Sequence, residues 1–125
     1  MIPHKIPFFL PMLYPSLTWR MEPAGKKLYL TFDDGPVSGP TEFVLDQLSR
    51  ASIRATFFSI GDNIRKHPQI FSRIVAAGHS VGNHTVNHVN GWQTPTERYF
   101  SNVKAFDPIA GAAGSFQPTR LFRPP

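Results

Sequence analysis

Asp33 and Asp34 stand side by side where an apolar run meets Gly35-Pro36, and His84 and His88 follow later in the chain, four residues apart. Carboxylates are oxygen ligands or proton acceptors. Two imidazoles at i and i+4, on one face of a helical turn, can close on a single ion. Together they read as a mononuclear metal site with a spare carboxylate beside it, which is the equipment of a hydrolase. Each part also has a plainer reading. Asp-Asp-Gly-Pro is a turn sequence in which a carboxylate can cap a helix. The histidine pair lacks the glutamate of the zinc-protease motif, because position 85 is Thr. Asn83 and Asn87 suit orienting contacts rather than ligation, His79 suits a structural place at a strand start, and Arg123 alone reads as a surface charge beside Pro124-Pro125.

The elements needed to position these residues follow from periodicity. Leu28 to Phe32 alternates as a strand with both faces available for burial, and it stops at the Gly-Pro turn. Thr41 to Ala51 reads as a helix with Val44, Leu45, Leu48 and Ala51 on one stripe. Ala55 to Ile60 is a second strand, ended by Gly61. A helix opened by Pro68 carries Ile70, Phe71, Ile74 and Val75 and is capped by Gly78. A short strand around Ser80 and Val81 leads into the histidine pair. Thr94-Pro95-Thr96-Glu97 reads as a capping box opening a helix to about Asp107, where Pro108 ends the register. Residues 108–118 are rich in Gly, Ala, Ser and Pro and read as a loop, and Leu121 to Arg123 starts a fourth strand.

The order β-α-β-α-β-α-β is the rhythm of a parallel α/β fold. In such folds function collects at the carboxyl ends of the strands, which puts Asp33, Asp34, His84, His88 and Arg123 on one rim. A closed barrel needs about 250 residues, so 125 residues suffice for one domain and for only part of such a barrel.

Composition narrows the classes. An apolar fraction of 41% with 17% charged residues supports a packed core. The absence of cysteine excludes a disulfide framework and a thiolate metal site. The thirteen Lys and Arg give a net charge of +5 but are scattered, which argues against a nucleic-acid footprint. No run approaches the length of a transmembrane segment. Pro3, Pro7, Pro11 and Pro15 break the apolar beginning of the chain. Residues 1–25 therefore read as an irregular arm that packs its Phe, Leu and Trp19 onto the domain, with a degenerate export signal as the competing reading.

In combination the motifs are more specific than any one of them. Thr31-Phe32-Asp33-Asp34-Gly35-Pro36, Ala55-Thr56-Phe57-Phe58, Gly78-His79-Ser80-Val81-Gly82-Asn83-His84-Thr85 with His88, and Arg123-Pro124-Pro125 occur in this order. From about Lys27 to Pro125 the chain resembles the polysaccharide deacetylase family, also called the NodB-homology domain or carbohydrate esterase family 4. The resemblance implies a distorted, TIM-like (β/α) barrel, of which residues 26–125 are the N-terminal four or so strands. It implies Asp33 as general base, Asp34, His84 and His88 as ligands of a divalent metal (zinc first, cobalt or another ion otherwise), and Arg123 as the residue holding the base in place. The implied reaction removes N- or O-acetyl groups from a glycan such as a chitin oligomer or peptidoglycan. The metal would activate water and polarise the acetyl carbonyl, with Asp33 taking the proton.

The sequence also departs from the family pattern. The third motif normally continues with Tyr and Gly, the tyrosine N–H helping to form the oxyanion hole. Later motifs supply a further Asp, an aromatic groove wall and a histidine acid. The 125-residue chain ends at Pro125. It is therefore expected to be an incomplete form, with weak or no metal binding and little turnover. Two alternatives stand beside this reading: a catalytically inactive carbohydrate-binding or interaction module, and a C–N hydrolase of the same superfamily acting on a non-sugar amide. Localisation stays open between cytoplasm and cell envelope, since no clear signal peptide is present.

Overall fold

The computed structural model describes residues 6–17, 19, 26–114 and 120–125. Its centre is a parallel sheet of three strands, β1 (Thr31–Asp33), β2 (Thr56–Ser59) and β3 (Ser80–Asn83), in the order β1-β2-β3. Crossovers between them carry α2 (Pro40–Arg50), then α3 (Gly61–Lys66) and α4 (Pro68–Ala76). After β3 come α5 (Thr96–Lys104) and α6 (Phe106–Ala112), while α1 (Leu10–Leu13) lies in the N-terminal arm.

Strand alternation divides the sheet into two faces. Phe32, Phe57 and Val81 share a cross-strand row. They join a core with Leu45 and Leu48 of α2 and Ile70, Phe71 and Ile74 of α4, the helical stripes that the sequence periodicity predicts. Burial of each such large side chain is worth about 1.5–3 kcal/mol. On the other face Asp33, Phe58 and Gly82 share a row, with Thr31 two residues before Asp33.

Gly78 closes α4 as expected, with φ of +73° and its N–H donating to the Val75 carbonyl at 2.9 Å. Several other expectations are corrected. The first strand begins at Thr31, not Leu28. Leu28 is 91% exposed and Tyr29 and Leu30 are also exposed, because among the described residues β1 pairs only with β2. Helix α3 does not stand out in the sequence: six residues are too few for a stripe, and one apolar side chain, Ile64, anchors it in the core. The Thr94 capping box does not form. Helix α5 starts at Thr96 with Pro95 as its N-cap and no side-chain cap bond. The region after Pro108 is not all loop, because Pro108 falls in the first turn of α6, where no intrahelical N–H partner is required. Full burial of Phe106 and Ala110 outweighs the loop-like composition.

Leu121 to Arg123 contributes a single parallel bridge, Asn83 with Phe122, rather than a full fourth strand. Residues 115–118 of the expected loop lie outside the described residues. In the arm, Phe8, Leu13 and Leu17 are exposed and are not buried on the domain as expected. The described part of the arm, with its recurrent prolines, makes one short helical turn, and residues 1–5, 18 and 20–25 of the expected arm lie outside the described residues.

Candidate active site

All five residues singled out from the sequence lie at the carboxyl end of the sheet. Asp33 ends β1 and Asp34 follows it, His84 follows β3, and Arg123 follows the bridge to Asn83. Asp34 adopts φ of +68°, a left-handed conformation that Asp tolerates better than most residues. The next peptide, Gly35-Pro36, is cis. Two bonds fix this turn from α3 and the residue before it: Asn63 Nδ2 donates to the Asp34 carbonyl at 2.7 Å, and Ile60 N–H donates to the Gly35 carbonyl at 2.9 Å. The left-handed step turns the two carboxylates to different partners. Asp33 Oδ1 accepts from Arg123 Nη1 at 2.7 Å. Asp34 Oδ1 lies 3.3 Å from His84 Nε2 and 3.2 Å from His88 Nε2.

The histidines converge, but not on a helix. Residues 84–88 form an irregular loop in which Thr85 has φ of +66° and His88 φ of +57°. A β-branched residue in that region is strained, a cost that tends to persist where surrounding contacts over-determine the conformation. Those contacts are present. Thr85 N–H donates to Asn83 Oδ1 and Val86 N–H to Asn102 Oδ1, both at 2.8 Å. The carbonyls of Thr85 and Val86 accept from Gly61 N–H at 3.1 Å and Asp62 N–H at 2.8 Å, the first amides of α3. Helix α3 thus satisfies its own unpaired amides while clamping the loop.

His84 is buried and its Nδ1 lies 2.8 Å from the Arg123 carbonyl. A carbonyl only accepts, so Nδ1 carries the proton and Nε2 is the atom turned toward Asp34. Such a bond is how a metal-ligating histidine is usually oriented. The three ligand atoms, one each from Asp34, His84 and His88, lie within 4.8 Å of one another. Ligands on a tetrahedron with metal bonds of about 2.0–2.1 Å would be roughly 3.3–3.4 Å apart, close to the 3.2 and 3.3 Å seen here. The donor set and the two Asp34 spacings therefore fit a small divalent cation.

Some supporting residues are invisible to sequence reasoning. Asn102 bonds the Val86 amide and also donates to Asn87 Oδ1 at 2.9 Å, yet nothing in the sequence near it marks it. Thr31 accepts from Arg123 Nη1 at 3.1 Å, and its signal was available in the strand alternation that places it on the face of Asp33. His79 behaves as expected, accepting from Ala55 N–H at 3.3 Å. Burial first, and neighbouring Arg54 second, hold its imidazole below the ordinary value. A shallow apolar depression of about 190 Å³ borders Asp33 and Asp34.

Comparison with known proteins identifies the family. The polysaccharide deacetylase family model matches residues 20–125. The chain is 38% identical over 96 residues to a peptidoglycan-N-acetylglucosamine deacetylase of Bacillus cereus, covering 77% of this chain and 34% of that protein. It is 44% identical over 63 residues to a chitooligosaccharide deacetylase of Rhizobium leguminosarum bv. trifolii, covering 50% of this chain and 29% of that one. Among solved structures, a family 4 carbohydrate esterase from Streptomyces lividans, in complex with acetate, superposes with a TM-score of 0.72 at 36% identity, over 78% of this chain and 50% of that chain. The chain thus spans about a third of the length of these curated relatives. A family match over residues 20–125, a shared parallel α/β architecture and the motifs meeting on one rim lead to one conclusion: the chain belongs to the polysaccharide deacetylase family, carbohydrate esterase family 4.

Proposed function

We propose that this chain carries the metal-binding and proton-accepting parts of a hydrolase that removes acetyl groups from acetylated glycans. The observation that supports it most directly is the division of the adjacent carboxylates, Asp33 to Arg123 and Asp34 to the two imidazoles. Asp34, His84 and His88 would hold the metal, for which zinc is the proposed identity. When bound, the ion would supply Lewis-acid polarisation and a more acidic water.

The remaining roles fall to the chain's own residues. Asp33 is free of the ligand set, so it is available to accept a proton from the attacking water. Arg123 Nη1 fixes which oxygen of Asp33 is engaged and leaves the other for that proton. Arg123 also accepts from His84 Nδ1 through its carbonyl, so one residue orients both the base and a ligand. The glycan substrate class comes from the relatives, whose names specify peptidoglycan N-acetylglucosamine and chitooligosaccharides. The intact Asp33 and complete ligand set favour an enzyme over an inactive binding module.

The test is zinc-dependent acetate release from an acetylated chito-oligosaccharide or peptidoglycan fragment, with zinc binding measured on the same samples. Zinc binding lost in His84→Ala and His88→Ala, with acetate release lost in Asp33→Asn, is the expected pattern. Equal zinc content in wild type and both histidine variants would overturn the ligand assignment.

A further inference from the structure

Arg123 is held on more sides than its ion pair requires. Its guanidinium carbon sits 4.1 Å from the centroid of the Phe58 ring, in the geometry of a cation–π contact. Its Nη1 donates both to Asp33 Oδ1 and to Thr31 Oγ1. Its backbone N–H donates to the Asn83 carbonyl at 3.0 Å. These partners come from all three strands, and the sheet register explains why they meet. Asp33 pairs with Phe58 and Phe58 pairs with Gly82, so the three lie in one cross-strand row on the face opposite the core.

Gly82 explains where the ring goes. A Cβ at position 82 would lie 2.5 Å from Phe58 Cδ1 and Cε1, closer than real contacts allow. The Phe58 ring therefore lies over the space that a side chain at 82 would occupy. There it lies beneath the Arg123 guanidinium, and Phe58 is 7% exposed. Phe57, not Phe58, belongs to the hydrophobic cluster formed with the helices.

We propose that Phe58 is a positioning residue for Arg123. Its ring, seated over Gly82, holds the guanidinium plane in the orientation that meets Asp33. The inference rests on the proposed role of Asp33 for its functional meaning, but its test does not. A flexible arginine side chain in a half-exposed ion pair would otherwise lose much of its attraction to side-chain entropy and screening. A flat aromatic floor restricts those orientations and leaves the donors free.

The test is nuclear magnetic resonance of the Arg123 guanidinium in the full chain, which reads orientation whether or not the protein turns over substrate. In the wild type, the Arg123 side-chain protons should be shifted upfield by the ring current of Phe58. Phe58→Leu keeps an apolar side chain of similar bulk but removes the π face. It should abolish that shift and speed rotation about Nε–Cζ by about two- to fivefold, the range set by a partly exposed cation–π contact. Phe58→Tyr keeps the ring face and should behave as wild type, which a merely space-filling role would not predict of this pair of variants. Gly82→Ala should displace the ring and reproduce the Leu phenotype with Phe58 unchanged. An unshifted Arg123 in the wild type would overturn the proposal before any variant is made. Wild-type rotation in a folded Phe58→Leu would also overturn it.

Discussion

The two sides of the rim are held by different means. On the side proposed to hold the metal the fixing bonds go to backbone: Asn83 and Asn102 accept from the loop amides, α3 amides donate to the loop carbonyls, and the Arg123 carbonyl orients buried His84. On the side proposed to carry the base the fixing groups are side chains. Asp33 and Arg123 are both partly exposed and are steadied by Thr31 and Phe58. A site fixed through backbone resists loss of any one exposed group, whereas a site fixed through side chains depends on each of them. The proton-accepting side should therefore be the more sensitive to a conservative change, and the metal side to loss of a ligand or of loop support.

The largest expected effect is on the base side. Asp33→Asn should remove whatever zinc-dependent acetate release the incomplete chain supports, by up to the roughly 10²–10⁴-fold that a positioned base contributes, with zinc affinity within a factor of a few of wild type. If zinc affinity fell in parallel with acetate release, the division between the two carboxylates would be broken. Next comes the ligand set. Asp34→Ala or His88→Ala should weaken zinc binding by more than the roughly 10–100-fold that loss of an outer partner costs, measured by competition with a chelator. A weaker effect at Asp34 than at Asp33 would reverse the assignment.

Asn102→Ala sharpens the comparison by attacking loop support without touching a ligand. It leaves the Val86 amide without its partner, at a cost of about 1–3 kcal/mol in urea unfolding. It should also reduce zinc affinity by roughly 10-fold. No change in either would mean that the strained loop is fixed by α3 alone.

The smallest effect concerns pH, away from the rim. The folded protein holds His79 below its ordinary value of 6.5, so the unfolded chain binds a proton there more readily. Its contribution to stability is therefore present above 6.5 and is lost as pH falls through the lowered folded value. The urea midpoint should drop over that window, and His79→Asn, which keeps an acceptor for the Ala55 amide, should flatten this part of the profile. An unchanged profile would show that His79 is not responsible.

Much of the helical scaffold was legible because its rules are local. The stripe of Leu45 and Leu48, the stripe of Ile70, Phe71 and Ile74, and the left-handed Gly78 cap follow from spacing alone. Helix α6 was not legible, because its stability comes from burying Phe106 and Ala110 rather than from propensity. The histidine loop shows the same limit. The four-residue spacing suggested a helical turn, whereas the convergence arises from left-handed Thr85 and His88 held by Asn83, Asn102 and α3.

The sequence by itself determined which side chains stand at the strand ends and in what order, and hence the family and the kinds of chemistry available. It could not divide Asp33 from Asp34 by physical argument, because the partners that do so lie about fifty to ninety residues away. Strand register brought Asp33, Phe58 and Gly82 into one row and Arg123 over them, while the positive φ at Asp34 turned its carboxylate to the imidazoles. Only the tertiary structure decides such matters, since distances between side chains are set by how strands align and loops are clamped, not by separation along the chain.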